Sequence, residues 1–386
     1  MVAPGRAGRS RRFAVAVALI AGGAGGGAVS HAIGPRPPAR RDRPADELLP
    51  GPARAAEPIP PTPTPTGSPP AELSSSSGVK QRGVALGLFA EDVSFSYASQ
   101  LAELVALGAT HVSLVVPIYQ TDVHSADIAL HTRFSPTLSL LADTIRLARR
   151  DGLEVAVFPI LRLAAARAGE WRGTLAPADP GEWFRRYADI LGDLAAVANL
   201  TGATRFAIGS ELSSLDGDLE RWKPLIERIR GVFKGGLVYS ANWDHFRDAR
   251  LLDLVDEDGI TGYFNLRADA RAPADQPALE QGWRRVAGEL AAWHAGRRHP
   301  LVFTELGYRS RAGCTAEPWD EGAGGAVDLD EQRRAFEAFR RVWSASPLLD
   351  GVYVWNWYGF GGATSIGYTP RGKPAEVEVK RLLEDL

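Results

Sequence analysis

RFAIGSEL (Arg205–Leu212) and LVFTELGY (Leu301–Tyr308) share one layout: a short β-rich apolar run, Arg205–Ser210 in the first and Leu301–Thr304 in the second, followed at once by a glutamate, Glu211 and Glu305. The same kind of run recurs at Val84–Phe89, His111–Pro117, Glu154–Ile160, Leu237–Asn242, Gly259–Tyr263 and Gly351–Trp355, making eight in all. Amphipathic stretches of helical period lie between the runs, among them YASQLAELVALGA, TLSLLADTIRLARRDG, LERWKPLIERIRGVF and DEQRRAFEAFRRVWSA, and EVEVKRLLEDL closes the chain. Strand, helix, strand repeated eight times is the signature of parallel β/α architecture and predicts an α/β fold, a closed (β/α)8 TIM barrel. An open doubly wound sheet would call for a glycine-rich phosphate loop after the first strand, and LGLFAED offers none.

The barrel is predicted to occupy residues 81–386, and the chain before it differs in character. Arg6, Arg9, Arg11 and Arg12 precede an apolar Gly/Ala-rich run from Phe13 to Val29, so residues 1–34 read as a signal peptide or N-terminal membrane anchor. The Ser10-Arg11-Arg12-Phe13 run looks like a twin-arginine export signal, which predicts an exported protein, secreted, periplasmic or anchored at the cell surface. Residues 35–80, with PIPPTPTPTGSPP followed by SSSS, have the composition of a disordered linker or tether.

Charge and cysteine content narrow the function class. The formal net charge is −2, but residues 81–386 carry 34 Lys/Arg against 41 Asp/Glu, an acidic balance that gives no support to a nucleic-acid partner. Cys314 is the only cysteine, which excludes an intrachain disulfide and a multi-cysteine zinc site. No GxSxG elbow is present, Asp244-His245 has no second histidine cluster to complete a metal site, and no cofactor is expected.

In this architecture reactive side chains sit where strands end, at the C-terminal face. Glu211 and Glu305, on the fourth and seventh strands, lie 94 residues apart, or three repeats of about 31 residues in a barrel of roughly 250. Both therefore face the same mouth. Two carboxylates across one cleft suit glycosidic cleavage, because the leaving oxygen needs a proton while the developing oxocarbenium carbon needs a nucleophile or an activated water. Aromatic faces pack on the apolar faces of sugar rings, which marks Trp355, Trp171 and Trp243 at strand ends and loops as candidate platforms, with Trp357 weaker. Tyr119, Asp122, His124 and Arg162 follow strands two and three, from which they could reach sugar hydroxyls.

The stretches WRGTLAPADPGEWFRRY, AIGSEL, FTELGYRS, VYVWNWYG and GYTPRGKPAE resemble glycoside hydrolase family 113, whose characterised activity is endo-β-1,4-mannanase, within the large clan of retaining (β/α)8 glycosidases. The likeness spans most of residues 81–386. It implies Glu211 as acid/base, Glu305 as nucleophile, Tyr263 as a hydrogen-bond donor to the nucleophile and Trp355 as a sugar platform, with a β-linked polysaccharide or oligosaccharide as substrate. The pattern departs at Ser210, where most of the clan has an asparagine that contacts the sugar 2-hydroxyl; Asn242, ending the fifth strand, is a neighbouring donor. The competing expectation is a carbohydrate-binding barrel at the cell surface that has lost catalysis.

Overall fold

The computed structural model describes residues 80–386 apart from Val93; the expected signal segment and the linker lie outside them, save Lys80. Eight parallel strands form a closed barrel in sequence order: β1 (Gln81–Gly87), β2 (His111–Gln120), β3 (Glu154–Leu163), β4 (Arg205–Ser210), β5 (Gly236–Ala241), β6 (Glu257–Thr261), β7 (Leu301–Leu306) and β8 (Gly351–Val354). The barrel closes through β1 and β8, with Gln81 opposite Gly351.

Seven helices cover it: α1 (Ala98–Leu107), α2 (Leu138–Arg150), α3 (Pro180–Thr201), α4 (Leu219–Val232), α5 (Gln276–His294), α6 (Leu329–Trp343) and α7 (Pro374–Asp385). The expectation of a strand–helix repeat eight times over fails at one crossover. Between β5 and β6 the described chain makes only a short 3-10 turn, Arg250–Leu254, packed where a helix would lie. The segment is too short and too rich in charged residues to supply an amphipathic face of three turns. Elsewhere the helix starts are written locally. Thr137, Asp179, Asp218, Asp275 and Asp328 each accept a backbone N–H of the first turn, and Pro180 takes a position whose N–H has no helical partner. Each such cap contributes about 1 kcal/mol.

The alternation of the strands sorts their side chains into two cores. Outward residues such as Leu114, Val157, Phe206, Tyr239, Ile260 and Phe303 pack under the helices. Behind β7 this layer is aromatic: Phe303 lies 5.1 Å from Trp343 and 5.9 Å from Trp283, edge to face. Inward residues Ala85, Val115, Phe158, Ile160, Ala207, Val238, Tyr263 and Trp355 fill the barrel and form the floor of its C-terminal mouth. Among the described residues no helix is long and apolar enough to cross a membrane.

Candidate active site

Strict alternation would not bring both glutamates inward. In β7, Val302 and Thr304 face the barrel interior and Phe303 the helices, so an unbroken period would send Glu305 outward. The register against β8 shifts between Phe303 and Leu306, and the bulge turns Glu305 into the mouth, where it is 1% exposed. A second bulge lies in β4 between Ala207 and Gly209. A Cβ on Gly209 would point at Leu212, Tyr239 and Tyr187 of the outer core, so Ser210 faces inward. Glu211 then adopts φ 55°, the single non-glycine residue in the left-handed region among those described, while its N–H donates to the Ser240 carbonyl at 2.8 Å. Such a conformation costs on the order of 1–3 kcal/mol and persists where surrounding contacts over-determine it.

Each carboxylate is held by short contacts of its own. Tyr263 Oη donates to Glu305 Oε2 at 2.8 Å, and Ser210 Oγ donates to Glu305 Oε1 at 3.3 Å. Arg172 Nη2 donates to Glu211 Oε2 at 2.5 Å. Thr304 and Ser240, one layer deeper, share a hydroxyl hydrogen bond of 2.6 Å. Burial pushes both carboxyls above the ordinary range. The guanidinium of Arg172 pulls Glu211 back, whereas the charge of Glu211 pushes Glu305 further up. Burial, and next the charge of Glu305, raise the Tyr263 hydroxyl well above its usual range, so it stays protonated and donates.

Of the other expected residues, Trp355 belongs to the inner cluster and Trp243 packs on it, whereas Trp357 lies in the outer core. Trp355, 7% exposed, lies in the inner cluster with Tyr263, and its peptide bond to Asn356 is cis. Trp171 is half-buried beside Arg172 at the start of the 3-10 turn Arg172–Thr174; its ring covers Gly173, where a Cβ would come within 2.4 Å of the indole. Trp243 is half-buried, its N–H donating to Thr261 Oγ1 at 3.1 Å and its ring edge-on to Phe264 at 5.8 Å. Asn242 is buried, with Nδ2 donating to Asp244 Oδ1 at 2.9 Å. Trp357 belongs to the outer core: its indole N–H donates to Glu103 at 2.7 Å. Asp122 closes a local turn by accepting from the N–H groups of His124 and Ser125. His245 pairs with Asp216 at 3.3 Å. Among the described residues no group of three His, Cys, Asp or Glu side chains could hold a metal ion.

Sequence reasoning passed over Arg172, Thr261, Trp319, Glu321 and Tyr368. Tyr368 sits 6.0 Å from the Tyr263 ring and donates to the Pro318 carbonyl, and Trp319 packs on the inner cluster from the loop after β7. Arg172 stands in a loop, where no periodicity marks a residue. Its one signal was the WRGT stretch that contributed to the family likeness.

Residues 87–360 match the sequence profile of Glycoside Hydrolase Family 113. A search of the curated proteins found no match. Among solved structures, the GH113 β-mannanase AaManA from Alicyclobacillus acidocaldarius, in complex with ManMIm, is 27% identical, with a TM-score of 0.68 over 79% of this chain and 97% of that one. A GH113 β-1,4-mannanase complex is 20% identical, with a TM-score of 0.69 over 79% and 99%. A β-glucuronidase of Faecalibacterium prausnitzii, 13% identical at a TM-score of 0.55, shares the fold over 80% of this chain and 49% of its own.

Proposed function

The chain belongs to glycoside hydrolase family 113, a retaining, clan A-like barrel glycosidase, and from that premise we propose that it hydrolyses β-mannan by double displacement with Glu305 as nucleophile and Glu211 as acid/base. The observation that carries this reading is the inward turn of two buried glutamates, from β4 and β7, into one aromatic-walled mouth. Glu305 is the carboxylate oriented by two hydroxyl donors, Tyr263 and Ser210, which hold it in place for attack on the anomeric carbon. As the carboxylate–C1 bond forms, the glycosidic bond breaks, and its electron pair takes the proton of Glu211. Glu211, now ionised, takes a proton from water as the water displaces Glu305 and regenerates the free carboxylate.

Trp355, Trp171 and Trp243 are assigned to stacking against sugar rings, and Ser210 and Asn242 to hydrogen bonding near the reacting sugar. The mannan preference is supported by the solved members of the family, which are β-mannanases, AaManA among them. Residues 1–34 are assigned to export and 35–80 to a tether, which places the reaction outside the cytoplasm, on polysaccharide. The test is reducing-end release from mannan, glucomannan, β-glucan and xylan by the full chain, with Glu211→Ala and Glu305→Ala as controls. Release from mannan and glucomannan, lost in both variants, is the expected result. Carbohydrate binding without release from any polymer would return the chain to the class of inactive binding barrels, and first release of the inverted anomer would overturn the covalent step.

A further inference from the structure

The mouth holds two buried carboxyl groups and a cation in contact with one of them, and that cation is on the unexpected side. A general acid must carry a proton before the bond breaks, and a nucleophile must be ionised. Yet Arg172 is set against Glu211, at 2.5 Å, while Glu305 is met by neutral hydroxyls, one of them at 3.3 Å. A full positive charge at hydrogen-bond distance stabilises a carboxylate more than two neutral donors do.

We propose that Arg172 is a displaceable counterion: in the substrate-free cleft it holds Glu211 as the carboxylate and leaves the shared proton on Glu305, and substrate must part the pair so that this proton passes to Glu211. The transfer is balanced, since the proton leaves the Glu305 carboxyl and arrives on the Glu211 carboxylate with none exchanged with water. Three observations besides the ion pair support the assignment. The Nε–H of Arg172 is buried without an acceptor, so the guanidinium has a hydrogen bond still to gain from a sugar oxygen. Its side chain is 22% exposed, against 7% for Glu211, so it is the partner that an entering chain meets. It also stands on a short turn in the β3–α3 loop, outside the barrel lattice that fixes the carboxylates.

Thr261, Asp244 and Glu321 face Glu211; Tyr263, Ser210, Tyr368 and Glu321 face Glu305; and the two glutamates face each other. Asp244 and Glu321 are acidic and disfavour a second negative charge in the mouth. Arg172 is the cation that acts on both carboxyls.

The inference rests on reading Glu211 as the acid/base, but its test needs no substrate, so it fails separately from the mannan assignment. The side-chain carboxyl carbons of the full-length protein, labelled with 13C-glutamate, would be titrated by NMR, with Glu211 and Glu305 assigned from their Gln variants. In the wild-type protein Glu211 should ionise below Glu305 by at least about one pH unit, a tenfold difference in proton affinity. Arg172→Met should close or invert that gap, and Arg172→Lys should keep its order. Glu211 ionising above Glu305 in the wild-type protein overturns the proposal whatever the variants do. An unchanged gap in a folded Arg172→Met protein overturns it as well.

Discussion

Both ends of the barrel bury charge, and they do so in opposite ways. At the N-terminal end Arg205 Nε and Gln81 Nε2 both donate to Glu257 Oε1, at 2.8 and 2.9 Å, and Tyr353 Oη donates to Gln81 Oε1 at 2.8 Å. One cation answers one anion, and the group closes around a cavity of only about 10 Å³. A layer outward, Asp258 is gripped by the Nε and Nη2 of Arg297, both at 2.7 Å. At the C-terminal mouth two buried carboxyl groups stand beside one guanidinium, which touches only Glu211, and a backbone is held at positive φ. The lower end pairs its buried charges among its own side chains, leaving only uncharged or outer-layer atoms such as Ser113 Oγ and Arg82 Nε without a partner, and serves stability. The upper end leaves its electrostatic balance to be completed by whatever enters, which is what a reactive site requires.

Substitutions at the two ends should therefore separate activity from stability. The largest effect is expected from Glu305→Ala, with kcat on mannan falling by roughly four to six orders of magnitude; the same change removes a carboxyl buried beside other acidic groups, so the thermal midpoint should hold or rise. Glu211→Ala should cost about two to four orders in kcat, with only a modest fall in the melt as the partly exposed Arg172 loses its ion pair. A fall in thermal midpoint equal to that of a core deletion in either variant would break the contrast.

At the other end the order reverses. Arg205→Met leaves Glu257 buried without its cation and should cost about 3–5 kcal/mol in denaturant unfolding, while kcat/KM of the folded fraction stays at the wild-type value. His111 offers a pH test of the same region. Burial first, and then the nearby Arg205 guanidinium, pull its imidazole down to about 4. A depressed folded value means the neutral ring's contribution is fully present above the unfolded value near 6.5 and is lost as pH falls through the interval down to about 4. The associated loss is at most roughly 3 kcal/mol, and His111→Gln should flatten that part of the stability profile.

The smallest effect sharpens the upper end. Tyr263→Phe removes a donor to the ionised form of Glu305, so kcat should fall about 10- to 100-fold, in line with a hydrogen bond to a charged group. The Glu305 carboxyl, which carries the pair's proton in the substrate-free cleft, should also hold it to higher pH, which moves the basic limb of the kcat/KM profile upward. A limb that stays in place would show that the Tyr263 contact does not bear on Glu305.

Much of the barrel was legible because it rests on local patterns. The run RFAIGS was bounded correctly at both ends, and seven amphipathic stretches became seven helices. The missing helix between β5 and β6 was misjudged because the regular repeat was extended across a segment that had no periodic stretch of its own. Within the mouth, the strand-end positions of Glu211, Glu305, Tyr263 and Trp355 followed from reading where each run stops. Arg172, Trp319 and Tyr368 are loop residues with no periodic signal, and each lies tens of positions from its partner along the chain.

By itself, then, the amino-acid sequence determined the strands, the helices, their order and the two glutamates at the C-terminal rim, since a two- or 3.6-residue period and a capping residue are properties of neighbouring positions. Which way those glutamates point was decided only by the tertiary structure. A period of two would have turned Glu305 toward the helices. A shift in register against β8 turns it inward, and a left-handed backbone held by the Ser240 carbonyl sets Glu211. Both depend on a neighbouring strand, and so does the pairing of Glu211 with Arg172, 39 residues away, which no local pattern encodes.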